Sequence, residues 1–172
     1  QHDYLTNHPE ISVLGGCLRE RYVQNHLPVY AQRSMPEDPK TLAKEARFRN
    51  PLNHPTVMCR RKAVLDSGNY MDHLWFEDYH LWSRMILAGH QMANLPDVLV
   101  DTNVDSGYFV RRGGLEYVKS ELALARYFRA TGFHTPIQNV QFILSRIGLR
   151  VLPMPLRKIV YRRFLRRGQS ER

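Results

Sequence analysis

The stretch Trp75-Phe76-Glu77-Asp78-Tyr79-His80-Leu81-Trp82-Ser83-Arg84-Met85-Ile86-Leu87-Ala88-Gly89 decides the fold class of this chain. Its apolar residues recur near a period of 3.6. Tyr79, Trp82 and Ile86 share one face, and Leu81, Met85 and Ala88 share the next. A helix over residues 76–88 that is apolar around so much of its circumference belongs in an interior. Gly89 stands where a left-handed C′ residue ends such a helix. The helix opens on two adjacent carboxylates, Glu77 and Asp78. Acidic side chains there can cap free N–H groups and oppose the macrodipole. Equally, one of them can stand at the rim of a pocket, ionised, and take a proton from a substrate hydroxyl. The two readings are compatible.

Extended segments flank this helix. Ile11-Ser12-Val13-Leu14 alternates and then meets Gly15-Gly16, which reads as a strand closed by a glycine turn. Residues 22–32 read as an edge strand because Pro28 cannot donate to a ladder. A short helix follows Pro36-Glu37-Asp38-Pro39, and residues 50–55 must be irregular because each proline drives its predecessor out of the α region. Residues 56–59 read as a short buried strand and residues 61–66 as a turn or two of helix. Residues 91–95 and 98–102 read as two strands around a Pro96-Asp97 turn. Beyond Arg111-Arg112-Gly113-Gly114 the pattern is helical, with helices expected over residues 115–130, 136–150 and 156–167. Strands mixed with helices, followed by helices only, describe an α/β body with a helical C-terminal extension.

The formal charge of +9 over 172 residues is unevenly placed. Residues 1–145 carry 16 Lys and Arg against 15 Asp and Glu, whereas residues 146–172 carry 9 against the single Glu171. The body is nearly neutral and the tail is strongly cationic. On the last expected helix Leu156, Ile159, Val160 and Phe164 form an apolar stripe among Arg157, Lys158, Arg162, Arg163, Arg166 and Arg167. An amphipathic cationic helix of this kind suits an anionic membrane surface. A helix packed on its own domain with a basic outer face is the plainer alternative. No nucleic-acid partner is expected, because the tail has neither a stacking platform nor a DNA-reading motif.

Several chemistries are excluded. No apolar run approaches the roughly 18 residues of a membrane span. Cys17 and Cys59 make no disulfide framework, zinc site or redox motif, which suits a reducing compartment. Neither Gly-x-Gly-x-x-Gly nor Gly-x-x-x-x-Gly-Lys occurs. Glu77 and His80 have the Glu-x-x-His spacing of di-iron bundles, but the second copy that such sites need is missing. Arg111 and Arg112 before a helix suit a bidentate clamp on a pyrophosphate, or else a solvated basic turn. His54, fixed between Asn53 and Pro55, is the histidine most suited to a site. The chain opens on Gln1-His2-Asp3, and the expectation is that it is part of a longer protein.

Taken in order, Arg49-Asn50-Pro51-Leu52-Asn53-His54-Pro55-Thr56-Val57-Met58, Arg60-Arg61-Lys62-Ala63-Val64-Leu65, Gly68-Asn69-Tyr70, Phe76-Glu77-Asp78-Tyr79-His80-Leu81-Trp82 and Asn94-Leu95-Pro96-Asp97-Val98-Leu99-Val100 resemble the C-terminal half of family 2 glycosyltransferases. The nearest likeness is to bacterial enzymes of exopolysaccharide, amylovoran-like or O-antigen synthesis. Tyr4-Leu5-Thr6-Asn7-His8-Pro9-Glu10-Ile11 is similar to the helix-to-strand passage after that family's Asp-x-Asp.

The resemblance implies a partial GT-A fold, a Rossmann-like α/β sandwich, over residues 1–130, with residues 131–172 as a basic helical extension. It implies inverting transfer of a single sugar from a nucleotide-diphospho-sugar donor to the hydroxyl of a lipid-linked acceptor at the cytoplasmic face of the membrane. Asp78 maps onto the base and Glu77 onto a residue that positions it or the acceptor. His54, Trp75, Arg111 and Arg112 map onto substrate binding. The family's divalent metal, Mn2+ or Mg2+, is held by an Asp-x-Asp, and this sequence contains none. The chain alone is therefore expected to bind no metal and to be inactive. The alternative is a non-catalytic membrane-surface module that keeps part of the fold.

Overall fold

Ile11 to Gln24 form one long strand, β1, and the rest of the sheet is assembled on it. The computed structural model describes residues 1–24, 27–104 and 114–151. Strand β2 (Leu27–Arg33) folds back antiparallel on the second half of β1, with Pro28 opposite Val23. Strand β3 (Met58–Cys59) pairs antiparallel with Val13 and Leu14, and β4 (Gln91–Asn103) runs parallel to β1 along most of its length. Among the described residues this is a four-stranded mixed sheet with β2 at an edge. It is the mixed α/β architecture expected, consistent with part of a Rossmann-like transferase fold.

The glycine pair does not close the strand. A Cβ on Gly15 would lie 2.3 Å from Asn94 Oδ1 and 3.0 Å from Leu52, and one on Gly16 would lie 2.5 Å from Leu99. Glycine is needed there because neighbouring side chains approach the strand backbone closely. Likewise, Pro96 and Asp97 do not make a turn. The register passes from Gly15↔Asn94 to Cys17↔Val98, so β4 carries two extra residues in a bulge and continues. Of residues 56–59 only Met58 and Cys59 are strand, and both are exposed instead of buried. Replacing Gly15 by alanine is expected to cost about 1–3 kcal/mol, because buried Asn94 must move. A urea titration measures it, and an unchanged midpoint would show that the contact yields freely.

Helices layer on both faces. Helix α1 (His2–Asn7) covers one face through Leu5, which packs with Ile11, Leu14 and Ala93. On the other face lie α2 (Pro39–Glu45), α3 (Arg61–Asp66) and α4 (Glu77–Leu87). Asp38 caps α2 by accepting from the Thr41 N–H at 2.9 Å, as the Asp-Pro start suggests. Helix α4 is buried on two sides. Leu81, Trp82 and Met85 face Val13 and Met92 of the sheet and Leu52 of the loop before β3. Phe76 and Tyr79 face a second cluster supplied by α5 (Leu115–Ala130) and α6 (Pro136–Val151).

That second cluster is dominated by aromatic rings. Phe128 lies 5.0 Å from Tyr79, 4.7 Å from Phe133 and 5.7 Å from Phe142, centroid to centroid. Arg47 covers the Phe133 ring and donates to its carbonyl. Arg146 of α6 pairs with the buried Glu121 of α5 at 3.1 Å and lies over Phe142. The first part of α6 therefore shares a core with α4. The expected helix over residues 156–167 lies outside the described residues.

Candidate active site

The head of α4 is built from three pieces, of which the loop before β3 is distant in sequence. Helix α4 has Phe76 as its N-cap residue, which supplies no side-chain hydrogen bond. Asp78 occupies the first turn instead: its Oδ1 accepts from the Tyr79 N–H at 2.6 Å, and its Oδ2 accepts from the Asn50 side-chain amide at 2.6 Å. Burial pushes the Asp78 carboxyl above the usual carboxylate range, against the opposing pull of the Asn50 bond, the Tyr79 N–H and the nearby His54. Glu77 stays exposed beside it. The carboxylate pair thus divides into one half-buried, held group and one solvated group.

The loop before β3 delivers the second piece. Asn53 is buried and its amide donates to the carbonyls of Gly16, at 2.9 Å, and Arg33, at 3.1 Å. Thr56 Oγ1 accepts from the Gly16 N–H at 3.0 Å. These bonds pin the short 3-10 turn His54–Thr56 to β1, which sets His54 on the open side. His54 Nε2 meets the Tyr70 hydroxyl at 3.1 Å, and both rings stand edge-on to buried Trp82 at 6.2 and 6.4 Å. Desolvation, with the charges of Cys59, Asp78 and Glu77, holds the Tyr70 hydroxyl in its protonated form.

The third piece is the turn into α4. Trp75 has φ of 67°, a left-handed conformation that a bulky residue adopts at a cost of about 1–3 kcal/mol. Its ring stacks on Tyr117 at 5.0 Å and remains 37% exposed. The turn is fastened to α5, since Ser120 Oγ donates to the Leu74 carbonyl at 2.5 Å. His80 lies on the buried side of α4, stacked on His73 at 5.3 Å, and burial lowers its pKa to about 4. It is a neutral packing residue at ordinary pH.

Asp78, Glu77 and His54 therefore lie within electrostatic reach of one another at the start of α4, Trp75 precedes them in the chain with its ring on Tyr117 of α5, and Arg111 and Arg112 lie outside the described residues. Asn50, Asn53, Thr56 and Tyr70 join the site only through the fold. Their spacing from Asp78 and Gly16 carries no periodic signal. Among the described residues no three His, Cys, Asp or Glu side chains converge as metal ligands. The divalent metal implied by the resemblance therefore has no fitting donor set there. A half-buried carboxylate with exposed His54 and Tyr70 nearby has the chemistry to accept a proton from a hydroxyl bound there.

Comparison with known proteins finds glycosyltransferases among the relatives of this chain. The chain is 34% identical over 164 residues, 94% of its length, to the amylovoran biosynthesis glycosyltransferase AmsE of Erwinia amylovora, of which it covers 59%. It is 34% identical over 95% of its length to an uncharacterized glycosyltransferase of Haemophilus influenzae, of which it covers 60%. It is 27% identical over 96% of its length to the UDP-Gal:alpha-D-GlcNAc-diphosphoundecaprenol beta-1,3-galactosyltransferase of Escherichia coli, of which it covers 59%. No protein-family model and no solved structure matches the chain. Along nearly its whole length the chain is a homologue of bacterial glycosyltransferases, and it spans about 60% of the length of the curated relatives it matches.

Proposed function

We propose that this chain supplies the acceptor side of an inverting glycosyltransferase of bacterial surface-polysaccharide synthesis. The observation that carries the reading is the half-buried Asp78 carboxylate, fixed through both oxygens by Asn50 and the Tyr79 N–H. In this reading Asp78 takes the proton of the acceptor hydroxyl. The acceptor oxygen bonds to the anomeric carbon as the bond from that carbon to the departing diphosphate breaks, with inversion. Glu77 orients the acceptor, the exposed Trp75 face stacks on a sugar ring, and His54 with Tyr70 borders the acceptor. Arg111 and Arg112 hold the donor pyrophosphate. The name of the E. coli relative supports a nucleotide-diphospho-sugar donor and a polyprenol-diphosphate acceptor. The remainder of the donor and the divalent metal are bound by residues outside these 172. The protein works at the inner face of the membrane, held peripherally by its cationic C-terminal segment.

Asn50 gives the reading a direct test in the whole protein. Ionised Asp78 is the active form, so the rate of transfer falls as pH drops through its raised pKa. Asn50 favours that ionised form, so Asn50→Ala moves the acid limb to higher pH. The plateau also falls roughly tenfold as the carboxylate loses its orientation. A pH–rate profile with the limb unmoved would remove Asn50 and Asp78 from the chemistry. A chain that transferred no sugar under any condition, yet bound vesicles, would favour the membrane-surface module.

A further inference from the structure

Helix α6 presents apolar side chains to both of its sides. Phe142 and part of Ile143 enter the aromatic core. On the outward face Ile137, Val140 and Leu144 are 71%, 55% and 66% exposed. These three sit at i, i+3 and i+7, one stripe along a helix. A row of large exposed aliphatic residues on one helix face marks an interaction surface.

Charge identifies what covers it. Residues 122–170 contain no Asp or Glu in 49 positions, and ten Lys or Arg. Helix α6 has no acidic residue, Arg126 and Arg129 are exposed on the neighbouring α5, and the last carboxylate before it in the chain, Glu121, is buried against Arg146. A second copy seated on this stripe would bring two cationic segments together without a carboxylate to offset them. An anionic bilayer offers apolar depth to the stripe and negative headgroups to the flanking cations. We propose that the outward face of α6 is a membrane-docking surface, with Ile137, Val140 and Leu144 entering the headgroup–acyl boundary of an anionic bilayer. The inference extends the membrane part of the reading above by naming a folded surface in addition to the tail. It does not require the transferase chemistry.

The full chain is sedimented with vesicles of phosphatidylcholine and with vesicles of phosphatidylcholine plus phosphatidylglycerol. Three forms are compared: the wild-type chain, Ile137→Asn/Val140→Asn/Leu144→Asn, and Arg157→Gln/Lys158→Gln/Arg162→Gln/Arg163→Gln. All three substituted aliphatic side chains are exposed, so the first variant keeps its fold, which its thermal melt verifies. The wild type is expected to bind the anionic vesicles, and the stripe variant to bind at least about tenfold more weakly with its cationic tail intact. Wild-type affinity in the stripe variant would overturn the proposal and leave binding to the tail. A wild-type dimer that the stripe variant converts to a monomer would overturn it in favour of a second copy. No binding by the wild type would overturn it outright. None of these readouts involves donor or acceptor, so loss of the transferase reading would leave the result standing, and the reverse.

Discussion

Replacing Asp78 by asparagine is expected to lower sugar transfer by about 10²–10⁴-fold while leaving the fold in place, the range general base catalysis supplies. The substitution keeps the shape of the side chain and removes its proton affinity. The amide oxygen can still accept from one of the two donors that now hold the carboxylate, Asn50 or the Tyr79 N–H. In this account the donor nucleotide is bound elsewhere, so its affinity stays near the wild-type value. A merely structural Asp78 would give a different pattern, with a shifted melt and donor affinity falling together with the rate. Glu77→Gln separates the two carboxylates. Glu77 is solvated and unburied, so its loss raises the acceptor KM more than it lowers kcat.

Phe128→Ala is expected to destabilise the protein by about 3–5 kcal/mol, the range for truncating a buried aromatic side chain. Phe128 is fully buried and touches rings from three elements: Tyr79 of α4, Phe133 in the turn after α5 and Phe142 of α6. Truncating it opens a cavity where α5 and α6 meet α4. Tyr79 also donates to the Ala46 carbonyl at 2.6 Å. Loosening its ring therefore disturbs the first turn of α4, where Asp78 sits. Equilibrium urea unfolding reads the loss. A change below about 1 kcal/mol would mean that α5 and α6 are a loosely attached layer and not part of the same core.

The parts of this structure that sequence pattern discloses are those encoded locally. Helix α4 follows from its own periodicity, α3 from the run after Arg60, and α5 from residues 115–130. The Asp38 cap is legible because cap and N–H lie three residues apart. The long strands are not legible, because what permits Gly15 and Gly16 inside β1 is the approach of Asn94 and Leu99, about 80 residues away along the chain. Pro96 reads as a turn, yet pairing with β1 on both sides carries the strand across it.

The site divides in the same way. Glu77 and Asp78 stand out as adjacent acids at a helix start, but burial is what distinguishes them, and burial comes from packing. Asn50 holds Asp78 across 28 residues, and Tyr70 meets His54 across 16. Asn53 and Thr56 act on Gly16 from another element altogether. Each of these is an ordinary polar residue in an irregular loop until the chain is folded. The run containing them resembled a known family, and the fold supplies the physical work those residues do.

The central claim is that the whole protein moves a sugar by a single displacement with Asp78 as base. The measurement that tests it most directly is the anomeric configuration of the product, read by NMR after incubation with a nucleotide-diphospho-sugar and a polyprenol-diphosphate-linked acceptor. A transferred sugar of inverted configuration is expected, formed by the wild type and absent with Asp78→Asn. A product of retained configuration, or inverted product made at an unchanged rate by Asp78→Asn, would contradict it.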